Sequence, residues 1–61
     1  MDSQRAQEIA KSPNMKQVLY NGEKVYIQHV DEVKDIARIF PIDQPDVEIE
    51  VSVNQLKDID G

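Results

Sequence analysis

Asn21-Gly22 constrains this chain more than any other pair of residues in it. Both residues tolerate the positive φ angles of a two-residue hairpin turn, and Asn-Gly between apolar runs is the strongest short-range hairpin signal. The runs are present. Residues 17–20 precede the pair, and residues 24–30, Lys-Val-Tyr-Ile-Gln-His-Val, follow it, rich in β-branched and aromatic side chains. Two antiparallel strands joined by a tight turn are therefore expected. Residues 47–53, Val-Glu-Ile-Glu-Val-Ser-Val, alternate without error. They predict another strand, with its valines and isoleucine on one face and Glu48, Glu50 and Ser52 in water.

The rest of the chain fits around these elements. Residues 36–40 read as a third strand that stops at Pro41, because proline has no N–H to give a ladder. Residues 31–35 form a polar turn and residues 43–46 a loop. Residues 54–56 read as a single helical turn with Leu56 tucked beneath, before a short last strand; Ile59 closes the structure and Asp60-Gly61 frays. Ahead of the sheet, residues 3–12 predict a short helix. Asp2 or Ser3 caps it, and Ala6, Ile9 and Ala10 give it one narrow apolar face. Pro13 ends it by disfavouring helical geometry at Ser12. About ten helical residues are not stable alone in water, so this helix must dock. The fold expected is α+β and mostly β. It is a single domain over residues 1–61, with a helix over 3–12 and, over 17–59, a small antiparallel SH3-like barrel or curled sheet of 4–5 strands.

Strand parity assigns the faces. The expected inner core is Val25, Ile27, Ala37, Ile39, Val47, Ile49, Val51 and Val53, with Val18 and Leu56. This leaves Tyr26, Val30, Ile36 and Phe40, with Arg38 among them, on the outer face. That is too much apolar surface for a solvated face. The simplest cover is the N-terminal helix, docked through Ala6, Ile9 and Ala10. The alternative is a partner surface or homodimer contact. A bulge in a strand would swap the faces.

Charge and composition exclude several function classes. Seven Lys and Arg against twelve Asp and Glu give a net charge of −5. In residues 41–61, six acids (Asp43, Asp46, Glu48, Glu50, Asp58, Asp60) face Lys57 alone, 6 − 1 = 5 negative charges. Coating of nucleic acid needs clustered cations, so the charge argues against it. The absence of cysteine rules out disulfides and thiolate zinc sites. No apolar run approaches membrane-spanning length, and the first residues lack the pattern of a signal peptide.

Chemistry is equally sparse. His29 is the single histidine and lies mid-strand, without the partner and pocket a general base needs. Ser3 reads as a cap, Ser12 precedes proline, and Ser52 sits on a wet face; none lies in a nucleophile elbow. Glu48 and Glu50 share a strand face and would hold a cation weakly, but any alternating strand places its acids this way. The two glycines cannot build a phosphate loop. Tyr20, Tyr26 and Phe40 have only Arg38 close by parity, whereas base-stacking platforms come with several cations, so core or helix-docking duty is the expected role. No catalytic, metal-binding or cofactor-binding residue is assigned, and no enzyme is expected.

Several segments together carry a family pattern. They are Met1-Asp2-Ser3-Gln4-Arg5-Ala6-Gln7-Glu8-Ile9, Ser12-Pro13-Asn14-Met15, Tyr20-Asn21-Gly22, Val25-Tyr26-Ile27-Gln28-His29-Val30-Asp31, Ala37-Arg38-Ile39, Pro41, and Glu50-Val51 ahead of Leu56. The chain resembles the H-type small acid-soluble spore proteins of endospore-forming bacteria over about residues 1–59. Two departures stand out: Glu23-Lys24 is more polar than the family's usual Val-Pro, and Phe40 replaces a frequent tyrosine. The resemblance implies a minor protein made in the forespore during sporulation and kept in the spore core, with no catalytic residue. It does not extend to the major α/β-type spore proteins that coat DNA. A nucleic-acid-associated SH3-like module is the alternative, on fold analogy alone.

Overall fold

The computed structural model describes residues 1–13 and 16–59. The Asn14-Met15 part of the junction and the expected fraying of Asp60-Gly61 lie outside the described residues. Helix α1 spans Ser3–Lys11. Asp2 is its cap: the carboxylate accepts the Arg5 backbone N–H at 2.7 Å. Ser12 is extended, at ψ 133°, as the following proline requires.

Strand β1 (Gln17–Tyr20) and strand β2 (Glu23–Asp31) pair through Asn21 and Gly22, whose φ angles are 51° and 81°. Two successive positive φ values are what the hairpin reading demands. Strand β3 (Ile36–Pro41) follows a turn in which the Asp31 carboxylate accepts the backbone N–H groups of Val33 and Lys34 at 3.0 and 3.2 Å. Strand β4 is Ile49–Ser52, a 3-10 turn covers Val53–Gln55, and strand β5 is Leu56–Asp58.

Strand β4 is shorter than its alternation. Its ladder with β3 begins at the Ile39–Ile49 pair. Two residues outward, the partner of Val47 would be Pro41, which has no N–H to give, and the Val47 N–H is committed to the Gln44 carbonyl at 3.0 Å. Alternation thus continues past the point where hydrogen bonding stops.

The strands form one antiparallel sheet in the order β4-β3-β2-β1-β5. No ladder joins β4 to β5 among the described residues, so the sheet is open, and of the two expected forms, a barrel or a curled sheet, the barrel is not met. The curl has a simple cause. Five strands laid flat would put β4 and β5 roughly 19 Å apart. The chain passes from Ser52 to Leu56 through a 3-10 turn that rises only about 2 Å per residue. The two ends of the sheet must therefore bend toward each other. The Val53 N–H donates to the Asp35 carbonyl at 3.0 Å, which ties this crossing to the β2–β3 turn.

The core is one cluster. Val18, Val25, Ile27, Ala37, Ile39, Val51, Val53 and Leu56 are buried in it as parity predicts. Val47 and Ile49 are not: they remain 44% and 41% exposed. Ala6, Ile9 and Val30 join the cluster instead. The helix, which packs chiefly on β2, therefore covers the inner face and not the outer one.

Val30 changes sides because β2 is irregular. Ile27 pairs with Ile39, but His29 pairs with Arg38, so one residue of β2, Gln28, has no opposite number. An extra residue in one strand reverses the parity beyond it. Gln28 and His29 are both exposed, and Val30, opposite Ala37, turns back into the core at 3% exposure.

Candidate functional site

The face turned away from α1 carries most of the side chains that the sequence singles out. Tyr26 and Phe40 are cross-strand partners on β2 and β3; their rings lie 5.5 Å apart and are tilted by 48°. Both are half-buried, as is Ile36 at the far end of β3. Such a tilted aromatic pair shields part of each ring, which lowers the cost of facing water. Gln17 Nε2 reaches the Tyr26 hydroxyl at 3.5 Å from β1. Of the five residues expected on this face, Tyr26, Ile36, Arg38 and Phe40 are brought together there, and Val30 is withdrawn into the core by the bulge.

Arg38 organises the charge on this face. Its guanidinium lies 3.5 Å from Glu50 and 4.0 Å from Glu48, both on the neighbouring segment. The side-chain amide of Gln28, with its nitrogen toward Glu48, donates to both carboxylate oxygens at 2.8 Å. The two glutamates that alternation places side by side are thus bridged by an arginine, where a weak cation site would need them free. His29 stands exposed opposite Arg38. A shallow depression runs between His29, Asp31, Lys34, Ile36, Arg38 and Glu50. Ser52 accepts the Asn54 backbone N–H at 3.3 Å and caps the 3-10 turn, so its hydroxyl has a local structural task. No cluster of three metal-ligating side chains occurs among the described residues, and none of the described helices is long and apolar enough to cross a membrane.

A second polar constellation lies where α1 meets β5. Arg5 Nε donates to Asp58 at 2.7 Å and Arg5 Nη2 to its other oxygen at 3.3 Å, a two-pronged contact; Glu8 accepts from Nη1 at 3.3 Å. The Arg5 hydrogen bond, helped by its charge, holds the Asp58 carboxyl below the ordinary carboxylate range, although partial desolvation opposes the shift. The Met1 ammonium donates to the Leu56 carbonyl at 3.0 Å, and Gln7 Nε2 to the Val30 carbonyl at 3.2 Å. These contacts fix the helix on the sheet. Sequence reasoning missed them, since nothing local in Arg5 or Asp58 announces a partner at the other end of the chain.

The comparisons with known proteins agree in one direction. The family model for the small acid-soluble spore protein H family matches residues 1–58. Small, acid-soluble spore protein H of Bacillus subtilis is 55% identical over 58 residues, which cover 95% of this chain and 98% of that protein. Small, acid-soluble spore protein H of Halalkalibacterium halodurans is 52% identical over 92% of this chain and 93% of its own length. The protein of the same name from Alkaliphilus metalliredigens is 48% identical over 92% and 95%. No solved structure matches significantly. Matched along nearly its whole length by the family model and by relatives at about half identity, the chain belongs to the small acid-soluble spore protein H family.

Proposed function

We propose that this protein is a non-enzymatic structural or interaction component of the bacterial endospore, made in the forespore during sporulation and kept in the spore core. The observation that carries this reading is the family match over residues 1–58, with relatives of nearly equal length named as spore proteins. The local chemistry supports the non-enzymatic part. His29 faces water opposite a cation, Arg38, where a general base works from a pocket beside an orienting group. The Ser52 hydroxyl is engaged as a cap.

The finer fold reading is an SH3-like curled sheet. A meander of four strands, a single 3-10 turn and a fifth strand returning to β1 support it. The contact surface of this reading is the outer face around Tyr26, Ile36, Arg38 and Phe40, which the helix leaves half-exposed.

Two measurements test the proposal. Acid extracts of broken, decoated dormant spores should contain the protein; recovery from the coat fraction alone would refute the compartment. Size-exclusion chromatography with light scattering, on the pure chain and then with duplex DNA at low salt, tests the class. The −5 charge predicts no DNA complex. A salt-sensitive complex would replace this reading with a nucleic-acid-associated one. A dimer lost on Tyr26→Ser would place self-contact on the outer face.

A further inference from the structure

The two ends of the sheet are finished differently. At β5, the Met1 ammonium binds the Leu56 carbonyl and Arg5 grips Asp58. At β4, a ladder runs on one side only, toward β3, and among the described residues no other strand meets it. An antiparallel strand bonded on one side leaves alternate N–H and C=O groups available on the other, which is a template for another strand. Ile49, opposite the buried Ile39, and Val47 just before the strand stay 41% and 44% exposed.

The segment that carries this edge bears charge of one sign. Residues 39–56 contain Asp43, Asp46, Glu48 and Glu50 and no lysine or arginine. The nearest cation across the ladder is Arg38, shared between Glu48 and Glu50, so four carboxylates against one guanidinium leave 4 − 1 = 3 negative charges. A second copy pairing β4 against β4 would set these acids against their own kind, which destabilises a ladder. Nucleic-acid phosphates would be repelled in the same way. A basic strand is complementary on both faces: its apolar side chains meet Val47 and Ile49, and its cations meet Glu48 and Glu50.

We propose that the free edge of β4 is a strand-addition site for an extended cationic segment of another protein, one that alternates lysine or arginine with β-branched residues. The site shares Glu48 and Glu50 with the outer face, where Arg38 already pairs with them, and does not depend on the spore compartment. The test uses the full chain, isotope-labelled, titrated at low salt with a blocked Lys-Val-Lys-Val-Lys-Val-Lys peptide. A Lys-Gly peptide of equal charge is the control. The Lys-Val peptide should slow hydrogen exchange at alternate amides of Ile49–Ser52 by about tenfold or more, and the Lys-Gly peptide should not, because glycine disfavours the added strand. Glu48→Gln with Glu50→Gln should weaken binding about tenfold, in line with two exposed ion pairs. The peptide comparison uses the unaltered chain, so it stands whether or not that variant folds. Equal response to both peptides would reduce the effect to diffuse attraction and overturn the proposal. So would an unresponsive β4, or β4 protection without peptide that grows with protein concentration, the mark of a second copy.

Discussion

Arg5 and Asp58 stand 53 positions apart in the sequence and 2.7 Å apart in the fold. Because the Asp58 carboxyl is lowered in the folded state, its contribution to stability is fully present above the ordinary carboxylate pKa of about 3.9 and is lost as pH falls below it. Asp58→Asn should therefore be less stable than the natural chain at neutral pH, and the gap should close as pH drops toward about 2. Urea unfolding at several pH values reads this directly; a gap that stays constant with pH would show that the ion pair contributes nothing. Residues governed by their neighbours were legible in the sequence, as Asn21-Gly22 and Asp2 demonstrate. Arg5 and Asp58 were not, because their partnership exists only after α1 has been laid on the sheet.

At the scale of elements, the β2 bulge decides more than any strand boundary. Straight alternation through residues 24–30 puts Val30 outside. Gln28 breaks the count, sends Val30 into the core and leaves Gln28 and His29 in water together. Deleting Gln28 should remove the bulge and leave Ile27, His29 and Val30 opposite Ile39, Arg38 and Ala37 in plain alternation, with Val30 still inward. Burial of Val30 is worth about 2 kcal/mol, a large share of the stability of so small a domain, so a deletion that turned it outward would be plain to see. Circular dichroism and thermal melts should show a cooperative transition close to that of the natural chain; a deletion variant without one would contradict the assigned register. Strand β4 teaches the complementary lesson. The alternation of residues 47–53 was real as a pattern, but the ladder was cut short by Pro41 on the neighbouring strand and by the Val47 N–H bonding within its loop.

For the molecule as a whole, the excess of acid is the main electrostatic fact. Net charge is −5, and the acids concentrate in the second half of the chain. Self-repulsion of this kind opposes the compact state and is screened by salt. Raising ionic strength from about 10 mM to about 300 mM, where the screening length falls well below the width of the domain, should raise the melting temperature by a few degrees. A fall in melting temperature would mean that favourable pairs such as Arg5–Asp58 outweigh the repulsion. By itself, the sequence determined the order of elements, the hairpin turn, the helix and its cap, and most of the core, together with the family pattern. Each of those rests on short-range physics: a cap accepting a nearby N–H, a φ angle that only certain residues tolerate, or the period of a strand. Which face the helix covers, where β2 bulges, and that the sheet curls without closing were decided by tertiary structure. Register, burial and the short span from Ser52 to Leu56 are set by segments meeting across the chain, and no local window contains both partners.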